Sequence, residues 1–204
     1  MAAKLTKGFT LIESIIAIVI LGLAMITLTS FLYPQIAQSA KPYYEVRASA
    51  LADSLMTEVL SRNFDDKSDH DGGEFRCGED DYLDAQNDVI ECTPASGFGP
   101  DNSEPPSLFN DVDDYVGCWY TTDESKANCR IGEAGNLNDI FGNNISDDYL
   151  GFRAEVTVEY DYDSRLGVPT VDSGEPREIF KVVTVVITAS QYGDFTFVAY
   201  RGNY

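Results

Sequence analysis

Histidine, tryptophan and basic residues are scarce in this chain. His70 is the only histidine and Trp119 the only tryptophan, and 14 basic residues face 34 acidic ones, for a net charge of −20. Such a surface disfavours nucleic acid, because binding to phosphate depends on Lys and Arg. His70 lies between Asp69 and Asp71 and could act as a general base, but no G-x-S-x-G motif supplies a nucleophile and no glycine-rich phosphate loop occurs. We therefore expect no catalytic residues, no cofactor and no nucleic-acid partner.

Charge is also missing from one long stretch near the N-terminus. Between Lys7 and Lys41 only Glu13 is charged. As a helix, Ser14–Ala40 is long enough to cross a bilayer core of ~30 Å, which takes about 20 residues. The leader charges Lys4 and Lys7 would hold the N-terminus in the cytoplasm, by the positive-inside bias.

Three kinds of N-terminal segment could account for this stretch. A secretory signal peptide would have a shorter apolar region of roughly 7–15 residues, followed by a cleavage site. A plain signal anchor fits the length but leaves Glu13 unexplained, since an intramembrane carboxylate costs about 2.5–3.5 kcal/mol. If the chain were cut after Gly8, the α-amino group of Phe9 would become a cation about one helical turn from Glu13. The acid would then have a partner, in its own chain or in a neighbour.

The sequence Lys7-Gly-Phe-Thr-Leu-Ile-Glu13 resembles the processing motif of type IV prepilins. This resemblance implies cleavage between Gly8 and Phe9 by the prepilin peptidase, N-methylation of Phe9, and a role for Glu13 in subunit docking. The implied partners are that peptidase and other major and minor pilins, which pack through the N-terminal helix. The implied location is the inner membrane, crossed once with the C-terminal domain in the periplasm, and then an extracellular pilus.

Composition and periodicity divide the rest of the chain. Apolar residues from Ala48 to Leu60 recur at spacings of three and four, as on one face of a helix. Residues 63–149 hold 22 acidic and 4 basic residues and little periodicity. The predicted segments are a leader at 1–8, a helix at 9–62 (9–33 transmembrane or fibre core, 34–62 amphipathic spine), an acidic loop-rich region at 63–149 and a β-meander at 150–204.

The C-terminal third predicts three antiparallel strands. Phe152–Tyr162 alternates apolar and polar residues, as a half-buried strand does. Ile179–Ala189 is β-branched on both faces, as in a central strand, and Phe195–Arg201 follows a turn. One face of this meander would cover the amphipathic part of the helix. The predicted class is α+β, and it resembles the pilin fold.

Four cysteines lie beyond the apolar helix, on the side of the membrane where disulfides persist. The interpretation that we favour joins neighbours, Cys77 to Cys92 and Cys118 to Cys129, although four cysteines allow three pairings. A zinc site would need shorter spacings.

The acidic region raises one weak possibility of a metal site. An EF-hand register with Gly72 at the sixth position puts Lys67 at the first, where an acid is required. A looser calcium site at Asp69 and Asp71, or at Asp111 and Asp113, remains open, but a solvated acidic loop is the simpler interpretation. Aromatic residues of this region could form a small satellite core, namely Phe109, Tyr115, Trp119, Tyr120 and Phe141.

Four segments narrow the resemblance to the MshD-type minor pilins of the mannose-sensitive haemagglutinin (MSHA) pilus. They are Tyr44–Leu51, Leu55–Leu60, Asp69–Glu79 and Asp111–Tyr115. The resemblance implies a low-abundance subunit that helps to start a fibre used in attachment. The alternatives are a minor pseudopilin of a type II secretion system and an adhesin whose 63–149 loops bind a surface or a sugar.

Overall fold

The computed structural model describes Gly8 and residues 10–70, 75–79, 83–84, 86–139, 142–161 and 180–203, apart from the side chains at 36 and 37. The chain divides into two compact units, Met1–Tyr43 and Tyr44–Tyr204. The helices and strands of the described residues are α1 (Leu11–Leu60), β1 (Gly117–Tyr120), α2 (Asp123–Ala127), β2 (Glu133–Asn136), β3 (Phe152–Tyr160), β4 (Phe180–Ala189) and β5 (Asp194–Gly202).

Helix α1 agrees with the single long helix predicted over residues 9–62, with Phe9 outside the described residues. It continues through Pro34 and Pro42, although neither proline has the N–H that an intrahelical hydrogen bond needs. Its composition changes along its length, from apolar on all sides to an amphipathic pattern after Lys41.

The sheet has five strands among the described residues, in the order β2-β1-β3-β4-β5. The predicted meander corresponds to β3, β4 and β5, which pair antiparallel, with Val156 opposite Val185 and Val185 opposite Phe197. The ends predicted at Tyr162 and Ile179 lie outside the described residues. Strands β1 and β2 enlarge the sheet beyond the prediction. Each has four residues, too few to show an alternating pattern.

The main core lies between the inner face of the sheet and the amphipathic half of α1. Val156, Val183 and Val185 are fully buried on the sheet, and Ala48 and Val59 are fully buried on the helix. Each fully buried aliphatic side chain contributes about 1.5–3 kcal/mol relative to an exposed one. Helix and sheet therefore stabilise each other in this unit.

The aromatic residues of the acidic region correct one expectation. Phe109, Tyr115 and Trp119 belong to the main core and not to a satellite core. Tyr120 is half-buried, and Phe141 lies outside the described residues. A separate small cluster does exist, and it consists of Phe64, Cys77, Cys92 and Tyr160.

Candidate functional site

The residues before α1 carry the proposed processing motif. Gly8 and Thr10 are exposed. A β-carbon added at Gly8 would meet no atom within 4 Å, so the fold does not itself require glycine at this position. Phe9, Lys4 and Lys7 lie outside the described residues.

Glu13 lies exposed in the first turn of α1. Its backbone N–H donates to Oγ1 of Thr10 at 3.4 Å, and the N–H of Ser14 donates to the Thr10 carbonyl at 3.2 Å. The order Thr-x-x-Glu is that of a capping box, and a carboxylate in the first turn is favoured by the helix dipole. Sequence reasoning assigned Glu13 to docking and missed the cap by Thr10, although the Thr-x-x-Glu spacing signals it.

The first half of α1 presents a continuous apolar surface. The side chains of residues 11–35 are exposed, with Leu11 at 79% and Ile18 at 69%. The hydroxyls of Thr27 and Ser30 donate to carbonyls of their own helix at 2.9 and 2.6 Å, so these polar groups are satisfied without water, as a bilayer requires. By length and composition, α1 is the one candidate membrane span in the described part of the chain. A surface of this extent needs lipid or other helices to cover it.

Residues 4–29 match the family model described as the prokaryotic N-terminal methylation motif. The N-terminal segment of the chain is therefore similar to that of type IV pilin-like proteins. The match and the α+β fold together support a pilin or a pseudopilin, a structural class of protein that the prepilin peptidase processes and that assembles with other pilins. The comparisons with curated proteins and with solved structures find no match.

The four predicted calcium ligands differ in burial. Asp111 and Asp113 are buried, Asp69 is half-buried, and Asp71 lies outside the described residues. The described residues contain one group with metal-ligand spacing, Asp65 with Cys77 and Cys92, but its two sulfurs form a disulfide. A calcium site at Asp69 or Asp111 stays a prediction.

Asp113 and Asp65 instead surround the ammonium group of Lys181, which is fully buried in β4. Nζ of Lys181 donates to the Phe64 carbonyl at 2.7 Å, to Oδ2 of Asp65 at 3.2 Å and to Oδ1 of Asp113. It also lies 4.8 Å from the ring centroids of Phe64 and Phe98. A lysine thus occupies the centre of this acidic cluster as its cation.

Asp111 completes the cluster. Its Oδ1 accepts the backbone N–H groups of Asp113 and Asp114 at 2.9 and 3.2 Å. Burial, followed by the negative charge of Asp113, raises the pKa of Asp111 to about 8. Burial also raises the pKa of Asp113, while the ammonium of Lys181 opposes that change. Burial therefore favours the protonated form of Asp111, while Asp65 and Asp113 contact the ammonium of Lys181.

The two disulfides lie in the unit Tyr44–Tyr204. Cys77 is joined to Cys92, and Cys118 is joined to Cys129. The first lies in the small cluster with Phe64, and the second ties β1 to the segment after α2.

Among the described residues, the side chain of His70 contacts an amide rather than a nucleophile. Its Nδ1 lies 3.1 Å from Oδ1 of Asn63, and its backbone carbonyl accepts from Arg201 at 3.5 Å. Both contacts join segments of the fold and suggest no reaction.

Lys181 and its acids are the site that sequence reasoning missed. The signal was present, because Lys181 is the one charged residue in the β-branched run from Ile179 to Ala189. A lysine is almost never fully buried unless it is paired. The rule therefore predicts an ion-pair partner for Lys181 but does not identify which acidic residue it is.

Proposed function

We propose that this protein is a minor pilin of an MSHA-type type IV pilus. It waits in the inner membrane with its C-terminal unit in the periplasm, and it then enters an extracellular fibre that serves surface attachment. The observation that carries the proposal is the uncovered apolar surface of residues 11–35, which begins directly after a prepilin-type motif. A soluble protein would bury such a surface.

The assembly step exchanges lipid around this helix for the helices of other subunits. The prepilin peptidase cuts between Gly8 and Phe9 and methylates Phe9. The carboxylate of Glu13 then neutralises a terminal amine in a bundle of low dielectric constant, where an unpaired charge is costly. Each mature chain carries one Glu13 carboxylate and one terminal amine, so each subunit can supply the opposite charge that a neighbour needs.

The acidic surface supports a minor subunit over a major one. Removal of Lys4 and Lys7 with the leader takes the net charge from −20 to −22. Like copies of such a subunit repel one another, so the chain suits a fibre in which it is diluted among other pilins. The four segments that resemble MSHA minor pilins favour this fibre, whereas a minor pseudopilin shares the motif and is the second candidate. Mass spectrometry of purified fibres distinguishes them by their companion subunits.

Gly8→Leu tests the processing step in cells that express the peptidase. The fold has room for a side chain at Gly8, so this variant should be stable but uncut, and it should run as an unshifted precursor band. Gly22→Leu is the matched control, because Gly22 is equally open within α1 and should be cut normally. Normal cutting of Gly8→Leu would overturn the proposal.

A further inference from the structure

A cleft in the unit Tyr44–Tyr204, the exported unit of the proposed function, lies beside the amphipathic half of α1. It has a volume of about 280 Å³ and is walled by α1, by the turn at Pro106, by β1 and by the segment that starts at Leu137. A second cavity of about 210 Å³ shares Leu55, Glu58 and Leu137 with it and extends to Tyr149. The first volume is near the lower end of small-molecule pockets, which span roughly 300–1,000 Å³. One small ring or side chain fits.

The cleft contains a fixed pair of opposite charges. The hydroxyl of Tyr115 donates to Oε1 of Glu58 at 3.1 Å and accepts from Nε of Arg62 at 3.0 Å. Burial raises the pKa of Tyr115 to about 12, so the phenol keeps the proton that it donates. Glu58 lies in the last turn of α1 and Arg62 lies two residues beyond its end at Leu60, and the buried tyrosine holds both in one arrangement.

This arrangement leaves hydrogen-bonding groups for a ligand. Arg62 uses Nε for Tyr115, and its Nη2 lies 3.7 Å from Oε1 of Glu58, beyond a hydrogen bond. In the described part of the chain, the bonds of the Glu58 carboxylate involve Oε1. The side chains of Arg62 and Glu58 are 35% and 20% exposed. The cleft therefore offers donors from a guanidinium beside an acceptor from a carboxylate.

The remaining lining selects the class of ligand. Leu55, Pro106 and Leu137 form an apolar wall, Asn138 adds an amide, and Asp139 adds a second carboxylate, which accepts from Asn143. Glu58 and Asp139 disfavour an anion, while Arg62 disfavours a cation. A neutral ring with hydroxyl groups on its edge and C–H groups on its face suits this lining. Each hydroxyl can both donate and accept a hydrogen bond, and the C–H face can pack on the apolar wall.

We propose that this cleft binds one neutral sugar residue, with its hydroxyls on Arg62 and Glu58 and its C–H face on Leu55 and Leu137. The inference gives the proposed attachment role its ligand class and rests on that role for its biological meaning. Binding to the purified subunit does not require a fibre. The failure of one proposal can therefore be told from the failure of the other.

The lone tryptophan makes the test direct. Trp119 lines the cleft, and its Nε1 donates to the Tyr115 carbonyl at 2.9 Å. The full chain in detergent micelles is titrated with the methyl glycosides of glucose, galactose and mannose and of N-acetylglucosamine, and Trp emission and heat are recorded. For a ligand of this size we expect saturation by at least one glycoside, with a Kd on the order of 1 mM. The corresponding free sugars distinguish a free ligand from the terminal residue of a glycan.

Two variants and one control decide the outcome. Arg62→Met removes the donors at a partly exposed position, and Tyr115→Phe keeps the ring but releases the pair, so each should weaken binding by about tenfold or more. Lys126→Met, on α2 and outside the cleft, should bind as the wild type does. Absence of a saturable signal and of heat with all neutral glycosides would overturn the proposal. So would saturation by glucuronate or by lysine amide alone, or undiminished binding by Arg62→Met.

Discussion

Replacement of Lys181 by methionine removes a buried cation while keeping most of the shape of the side chain. In the wild type, the ammonium is fully buried and contacts the carboxylates of Asp65 and Asp113. It also lies against the rings of Phe64, Phe98 and Tyr160, at 4.8, 4.8 and 5.4 Å from their centroids. In Lys181→Met, two buried acids face each other without compensation.

The expected loss is large for one substitution. The removal of one partner from a buried ion pair costs about 3–5 kcal/mol, since the other charge stays buried. Each kcal/mol lowers the melting temperature of a domain of this size by about 2–4 °C. The melting temperature should therefore fall by about 6–20 °C. The loss should be smaller at acidic pH, because burial raises the pKa of Asp113 and its carboxylate can then bind a proton.

Trp119 fluorescence or near-UV circular dichroism reports unfolding of the exported unit, because Trp119 belongs to its core. Far-UV signals would also include the apolar half of α1, which detergent keeps helical. The triple variant Lys181→Met/Asp65→Asn/Asp113→Asn removes all three charges and should recover most of the stability, since replacement of a whole buried ion group is often nearly neutral.

Lys126→Met is the control for loss of a lysine. Lys126 pairs with Glu133 at 3.0 Å, but its side chain is 39% exposed, so its loss should leave the melting temperature nearly unchanged. If Lys181→Met is as mild as Lys126→Met, or if the triple variant is no better than the single one, the electrostatic account of this cluster is wrong.

Three further variants test the exported unit by urea unfolding. The raised pKa of Asp111, about 8 against an ordinary 3.8, means that the folded state holds one more proton than the unfolded chain between these values. Stability should therefore fall as pH rises through this window, and Asp111→Asn should flatten the dependence; an unchanged slope would refute it. Loss of the Cys118–Cys129 bridge, in a double alanine variant, should cost about 3 kcal/mol for a short loop, and equal midpoints with and without the bridge would contradict this. Gly117 has a φ of +143°, and an added β-carbon would lie 2.7 Å from a neighbouring side chain. Gly117→Ala should lose about 1–3 kcal/mol, whereas Gly132→Ala, at an open glycine, should not.

Local periodicity explains which parts of the fold could be predicted. Helix α1 and strands β3 to β5 are long and carry clear spacings of apolar residues, so their positions follow from the sequence. Strands β1 and β2 have four residues each, and the pairing of β1 with β3 and of β2 with β1 depends on tertiary contacts. The same limit applies to Phe109 and Tyr115, because long-range contacts, and not local periodicity, place them in the main core.

The cluster around Lys181 shows the same limit for a site. Its lysine could be identified from a strand that is otherwise apolar, but its partners lie 116 and 68 residues away, at Asp65 and Asp113. Among 34 acidic residues, nothing local marks these two. The cleft beside α1 is similar, because Arg62 and Tyr115 are 53 residues apart and meet only in the folded unit.

Glu13 requires a more selective test of docking than loss of the side chain. Thr10 and Glu13 both follow the proposed cleavage bond, so the capping contact at 3.4 Å remains in the mature chain. Glu13→Val keeps the backbone N–H that contacts Thr10 but removes the charge and the polar side chain together, and poor incorporation would not tell which one mattered. Glu13→Gln removes the charge alone, since glutamine also serves at the third position of a capping box. If docking depends on charge, Glu13→Gln should be cut normally and be depleted from fibres as strongly as Glu13→Val. If it is incorporated like the wild type, docking does not need the charge of Glu13, and the proposed pairing with a neighbouring amine is wrong for this subunit.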